Sequence, residues 1–520
     1  MGDLPAVWAQ KWGDKVAVVE RDRVFTFTDL ETEVSAVAVQ LAAFDMKGAP
    51  HGDRVLVQLP NTVELIVILL ACFRLGLVPV LALPGHRSAE LEHLAAMTEA
   101  RAIVVPDSFR GFDHRGLALQ LIDQHDVLNH LIVVNLEQQT AAVEGRLRFS
   151  FPAPVDSPRS HNEAPSSDSV AVLLLSGGTT GTPKLIPRTH DDYIYNFRAC
   201  AEAAGFTRDT VLLLSIPVAH NFGLACPGAL GVLDAGGRVV LEPSPDPEKA
   251  FRAMIAENVT DAALVPAVLQ RWMDEMDTTG MRPPSLRRVQ VGGARLSDEV
   301  ARRVRPGFGL QLQQALGMAE GLVNYVRPDD PDIVGVETQG RPVSEYDEIR
   351  IVDRNDVDVA HGKVGQLLTR GPYTIRGYWR APEHNRSAFD SQGWYRTGDL
   401  VRWHSTGNLT VEGRVKDVIN RAGEKISAEE VENYLYALPG VLRVAVVAIP
   451  DITLGESIGA VIVPVDPSEP PTVEWVRSRL LAAGVAAFKI PQHVRSVDDL
   501  PLTKVGKIDK AAVRRLFTQD

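Results

Sequence analysis

Short aliphatic and β-branched runs, Arg54–Leu59, Ala102–Val105, Leu131–Val134, Val170–Leu175, Val211–Ser215, Arg238–Leu241 and Arg288–Val291, alternate with longer amphipathic stretches through the first 300 residues. Parallel strands need crossover segments of that length, usually helical, so the alternation predicts β/α units around largely parallel sheets. Phe251, Met254, Ile255 and Val259 fall at i, i+3, i+4 and i+8, which predicts one face of a helix entered through Pro247. The nine-residue apolar run Leu65 to Phe73 is about half of what a bilayer span needs, and it predicts a buried helix followed by a strand near Pro79. Phe151 to Ser169 carries four prolines and five serines without apolar periodicity, the texture of a surface connection. From Glu345 to Val411 the chain turns to glycine-punctuated short strands (IRIVD, GQLLTR, GNLTVEG), which predict a β-rich subdomain.

At 520 residues the chain exceeds what one hydrophobic core supports. The expected class is α/β, with a large domain over residues 1–413 and a small mobile α+β domain over 414–520. The second segment holds 14 basic and 14 acidic residues, so the whole net charge of −12 lies on the first. A net negative chain has no broad positive field for a phosphate backbone, which argues against nucleic-acid binding. Cys72, Cys200 and Cys226 are odd in number and far apart, so neither a disulfide framework nor a cysteine zinc site is expected. Met1 to Lys15 lacks the basic start and apolar run of an export signal, and no stretch is long enough to span a membrane, so a cytoplasmic location is expected.

The strongest chemical signal is the run from Val170 to Lys184, VAVLLLSGGTTGTPK, a buried-strand pattern that enters a glycine- and threonine-rich loop and closes on a lysine. Gly177, Gly178 and Gly181 allow backbone N–H groups to approach an anion, Ser176, Thr179, Thr180 and Thr182 add hydroxyls, and Lys184 adds a charge. Taken alone, such a loop is as readily a plain turn as a phosphate site, and it does not fit the Walker A pattern.

Further motifs follow in order: VGGA at Val291 to Ala294, GMAE at Gly317 to Glu320, YRTGD at Tyr395 to Asp399, GRVKD at Gly413 to Asp417, GEKIS at Gly423 to Ser427, and PLTKVGK at Pro501 to Lys507. With the glycine-threonine loop they resemble the adenylate-forming superfamily of acyl- and aryl-CoA synthetases and peptide-synthetase adenylation domains. KLIPRTH, VAHNF, GMAEGLVNY, TRGPYTIRGY and INRAGEKISAEEVE are similar to stand-alone salicylate and 2,3-dihydroxybenzoate adenylating enzymes. The resemblance implies two half-reactions. A carboxylate attacks the α-phosphorus of ATP to give an acyl adenylate and pyrophosphate, and the acyl group then passes to the phosphopantetheine thiol of a carrier protein arriving in trans. ATP and Mg²⁺ are therefore the expected cofactors, with Glu320 on the metal. The implied nucleotide contacts are Gly292, Gly293, Ala294, Gly317, Met318, Asp399 on the ribose hydroxyls and Arg414 beside it. Lys507 is implied to bridge the carboxylate and the α-phosphate, Lys416 to be the hinge, and Gly423 to let the pantetheine arm pass.

By the same resemblance, His220 lies near the substrate carboxylate and Asn221 reads an ortho hydroxyl, with Phe222, Cys226, Ala315, Gly317 and Val323 around the ring. An amide suits that task because it both donates and accepts. Cysteine at 226 goes with salicylate in that subgroup, whereas valine at 323 goes with 2,3-dihydroxybenzoate, so salicylate is favoured and the dihydroxy acid comes next. Gly223, where proline is usual, and Ala315-Leu316, where valine and an aromatic residue are common, remove bulk. They leave room for a hydroxylated heteroaryl acid as the substrate instead. The motifs also fit an aryl-CoA ligase, in which a CoA thiol replaces the carrier, and more remotely a non-catalytic ligand-binding homologue.

Overall fold

A computed structural model describes residues 1–44, 46, 52–136, 149–150, 164–176, 184–421 and 424–517. Two sheets dominate the first part. One has nine strands, with parallel pairing through Gln311–Gly317, Arg288–Gly292, Asp261–Leu264, Val211–Leu214, Arg238–Leu241 and Val16–Glu20, and antiparallel strands at both ends. The other has seven, parallel through Val170–Leu175, Val78–Leu81, Arg54–Val57, Ala102–Pro106 and His130–Val134. Their strands are apolar nearly throughout because both faces are covered. The main core joins Val55 and Val57 of one sheet to Leu212 and Leu214 of the other through helices Val63–Leu75 and His190–Ala204. Val63–Leu75 is buried from Val63 through Phe73, as the apolar run predicts, and stops at Gly76 in the left-handed conformation.

The expected helix runs Pro247–Glu257, but its face is narrower than the sequence spacing implies. Ala250, Phe251 and Met254 are buried, Ile255 is 44% exposed, and Val259 lies beyond the left-handed Asn258 that ends the helix. Most of the proline- and serine-rich connection lies outside the described residues. The glycine-punctuated region forms a four-stranded antiparallel sheet of Glu348–Val352, Gly365–Arg370, Tyr395–Trp403 and Leu409–Arg414.

After the 3-10 turn Val415–Asp417 comes a five-stranded sheet containing Val441–Asp451 and Gly455–Pro464. Helix Ala428–Tyr436 covers one face, while Leu500 and Val513 pack with the other. These apolar clusters are separate from the main core. Polar contacts tie this part to the first: Lys504 with Glu90, Arg271 with Asp499 at 2.7 Å, and Arg443 with Asp274 at 3.4 Å.

Candidate active site

Parallel strands deliver their following loops to one edge of a sheet, which is where ligands bind in open α/β folds. Here the segments after Leu214 and Leu264, and the ends of Arg288–Gly292 and Gln311–Gly317, border a cleft of about 990 Å³ that the later part of the chain closes. Ser176, His220, Asn221, Gly293, Ala294, Ala315, Gly317, Asp399, Arg414, Lys416 and Lys507 all line it. A second concavity of about 1010 Å³, around His190 and Arg198, contains none of the candidate catalytic or binding residues named from the sequence.

Lys507 sits on a tight loop in which Thr503 N–H donates to the Lys507 carbonyl at 2.6 Å and Lys507 N–H donates to Thr503 Oγ1 at 3.1 Å. Its stem lies against Gly293: a Cβ there would approach Lys507 Cε to 2.8 Å, and the backbone φ of +87° independently favours glycine. Burial, followed by the Arg414 charge, pushes the Lys507 ammonium down to about 8. Arg414 and Asp399 are direct cross-strand partners, with Nε donating to Oδ1 at 2.7 Å. Lys416 lies two residues on, and burial and then Arg414 lower its pKa.

His220 caps the short helix Asn221–Ala225, its Nδ1 accepting the Phe222 N–H at 3.3 Å. Burial and then Lys507 push the imidazole down to about 3, so it is neutral, and with Nδ1 accepting the ring proton belongs on Nε2. Asn221 lies beside it. Phe222, Cys226 and Val323 are buried behind the cleft surface at 9%, 4% and 1% exposure. A Cβ on Gly292 would lie 3.2 Å from the Phe222 ring, and one on Gly317 would lie 3.5 Å from Val323. Gly223 makes no room for a ligand: a Cβ there would come 2.6 Å from the Pro217 carbonyl oxygen, so a close backbone approach occupies that space. Ala315 and Leu316 do line the cleft.

Glu320 accepts a hydrogen bond from the Tyr378 hydroxyl at 2.8 Å, and Tyr378 is itself 2.9 Å from the Tyr395 hydroxyl. Met318 is half-buried against the core. Lys184 Nζ stands 3.0 Å from His384 Nε2, and its backbone N–H donates to Ser176 Oγ at 3.0 Å. Tyr378 and Tyr395 lie inside the quoted TRGPYTIRGY and YRTGD segments but are not singled out there as site residues, and His384 lies outside every quoted motif, since its partner Lys184 is 200 residues away. Gly177, Gly178, Thr179, Thr180, Gly181, Thr182 and Gly423 lie outside the described residues.

A two-sheet α/β body with a small closing part and a cationic cleft is the architecture of nucleotide-activating ligases. The chain belongs to the AMP-binding enzyme family, whose model matches residues 6–379, and the AMP-binding enzyme C-terminal domain matches residues 430–507. It is 52% identical to a Streptomyces protein named salicylyl-CoA synthase / salicylate adenylyltransferase, over 99% of this chain and 93% of that one. It is 47% identical to the 2,3-dihydroxybenzoate-AMP ligase of Bacillus subtilis, over 100% of this chain and 94% of the relative. Among solved structures, ATP-bound MatB from Rhodopseudomonas palustris matches with a TM-score of 0.85 at 25% identity, covering 100% of this chain and 99% of that one. The protein is an adenylate-forming enzyme that draws on ATP. Among the described residues no helix is long and apolar enough to cross a membrane.

Proposed function

We propose that this enzyme joins an ortho-hydroxy aryl acid to AMP, salicylate first and 2,3-dihydroxybenzoate second, and then loads the aryl group onto the phosphopantetheine thiol of an aryl carrier protein. The observation that carries this reading is a single cleft lined by the Lys507 ammonium, the His220–Asn221 pair and the Asp399–Arg414 pair. In the first step a carboxylate oxygen bonds to the α-phosphorus of ATP while the bond to the bridging oxygen breaks and pyrophosphate departs. Both reactants are anions, so fixed cations and donors supply most of the catalysis. Lys507 holds the attacking carboxylate against the α-phosphate, His220 donates from Nε2 to the same carboxylate, and Asp399 accepts from the ribose hydroxyls. Lys184 and the glycine-threonine loop hold the outgoing pyrophosphate.

Glu320 suits Mg²⁺. Its carboxylate, a hard oxygen donor, would hold the ion, and substrate phosphate and water would supply the other oxygens, the usual habit of Mg²⁺. Bound there, it would neutralise phosphate charge.

In the second step the thiol sulfur attacks the mixed-anhydride carbonyl and AMP leaves. The part over 414–520, treated as a separate small domain, turns about Lys416 to admit the thiol. CoA is the second reading of the acceptor, favoured by the name of the 52%-identical relative.

An ATP–pyrophosphate exchange panel over salicylate, dihydroxybenzoates, aminobenzoates and heteroaryl acids tests this function, and no exchange with any aromatic acid would overturn it. In the same panel Cys226→Ser is expected to raise activity on 2,3-dihydroxybenzoate relative to salicylate by up to about tenfold, the worth of one hydrogen bond. An unchanged ratio removes Cys226 from selectivity. The ion pair of Lys504 with Glu90 helps to hold the Lys507 loop in place, and exposed pairs are worth up to about 1 kcal/mol. Glu90→Gln is therefore expected to slow adenylation by roughly two- to fivefold while leaving thioester formation from synthetic aryl-AMP as fast or faster. Parallel losses in both reactions would count against that role.

A further inference from the structure

Behind the His220–Asn221 corner lies a buried polar chain that the reaction scheme does not use. The Tyr193 hydroxyl, on helix His190–Ala204, donates to Asn221 Oδ1 at 2.8 Å, and Asn221 Nδ2 donates to Cys226 Sγ at 3.1 Å. Tyr193 is 0% exposed, and the Arg188 guanidinium lies 4.8 Å from its ring centroid. Arg188 is fixed in turn: Nε donates to Asp192 at 2.8 Å and Nη1 to the Ala319 carbonyl at 3.0 Å. Asn196 holds the far side, donating to the Ala225 carbonyl at 2.7 Å and lying 3.6 Å from the same sulfur.

An amide's two ends are told apart only by their partners, and here the partners decide. Were the Asn221 amide reversed, its N–H would face the tyrosine. The hydroxyl proton would then lack an acceptor in a fully buried place, as Tyr193 makes no other hydrogen bond among the described residues. Burial raises the Tyr193 pKa far above that of an ordinary phenol, so the hydroxyl keeps its proton and stays a donor. With Oδ1 committed to Tyr193 and one N–H given to Cys226 Sγ, the second N–H of Asn221, which lines the cleft, is what the amide has left to offer a ligand.

We propose that Tyr193 is a positioning residue that locks the Asn221 amide with its N–H toward the cleft, so that the site selects acids whose ortho atom accepts a hydrogen bond. The proposal rests on the aryl-acid reading of this cleft. A salicylate hydroxyl turns its own proton to the neighbouring carboxylate and presents oxygen to Asn221, and a ring nitrogen beside the carboxyl also accepts. An ortho amino group, whose lone pair is spread into the ring, offers only N–H and meets a donor. Such a mismatch at a polar site rejects an analogue far better than a change of size does.

The test is Tyr193→Phe, which keeps the ring and frees the amide, assayed by pyrophosphate exchange on salicylate, benzoate and 2-aminobenzoate. Salicylate kcat/KM is expected to fall roughly two- to tenfold, the range for one hydrogen bond. The salicylate to 2-aminobenzoate ratio should narrow by at least the same factor, with benzoate and the KM for ATP unchanged. A parallel fall on all three acids, or an unchanged ratio, overturns the proposal. Asn221→Leu is run beside it: if that variant shifts no ratio, the aryl reading of Asn221 fails, and if it shifts the ratio while Tyr193→Phe does not, only the role of Tyr193 fails. Should Tyr193→Phe not fold, Asn221→Asp decides, since it keeps the acceptor for Tyr193 and removes the N–H. A ratio moved toward 2-aminobenzoate supports the proposal, and an unmoved one overturns it.

Discussion

Lys507→Ala is expected to slow aryl-adenylate formation by about 10²–10³-fold, the usual effect of deleting one preorganised donor from a site where charge builds up. Lys507 lies in the cleft with its stem against Gly293, so the variant removes the charge without leaving a cavity in either core. Thioester formation from synthetic aryl-AMP should fall much less, because the bond at phosphorus is then already made. The pH dependence carries a second signature. The ammonium is pushed down to about 8, so the cationic form dominates below that value and is lost above it. For wild-type enzyme, kcat/KM for adenylation should therefore decline as pH rises through about 8, and the alanine variant should lack that limb. Pyrophosphate exchange unchanged in the variant would remove Lys507 from the reaction.

Asp399→Ala comes next in size. Asp399 is 5% exposed and receives Arg414 Nε at 2.7 Å, so its removal loses the proposed ribose acceptor and also leaves the Arg414 guanidinium without this partner in the cleft. Hydrogen bonds to charged groups are worth about 1.5–3 kcal/mol, so the KM for ATP is expected to rise roughly 10- to 100-fold while the KM for the aryl acid moves little. Equal increases for both substrates would point to a collapsed cleft rather than a lost nucleotide contact, and calorimetric titration of ATP separates the two.

Sequence and structure agree where local pattern governs. Val170–Leu175 and Arg238–Leu241 begin and end where their apolar runs do, since a strand covered on both faces must be apolar throughout. Agreement weakens where a third element decides: Ile255 fits a helical stripe yet faces solvent, and Gly223 reads as spare room until the Pro217 carbonyl is seen against it. The motif residues Lys507, Asn221, Asp399 and Arg414 converge on one cleft although up to 286 residues separate them. The supports behind them did not announce themselves. Tyr193 is 28 residues from Asn221 and Tyr378 is 58 from Glu320, so their partnerships depend on how helix and sheet pack and not on any spacing within a motif.

Asp399 and Arg414 face one another on paired strands, and the turn Val415–Asp417 begins at the very next residue. On the proposed turn about Lys416, the lysine loop would move away while Asp399 and Arg414, both ahead of that residue in the chain, would stay together on the nucleotide side.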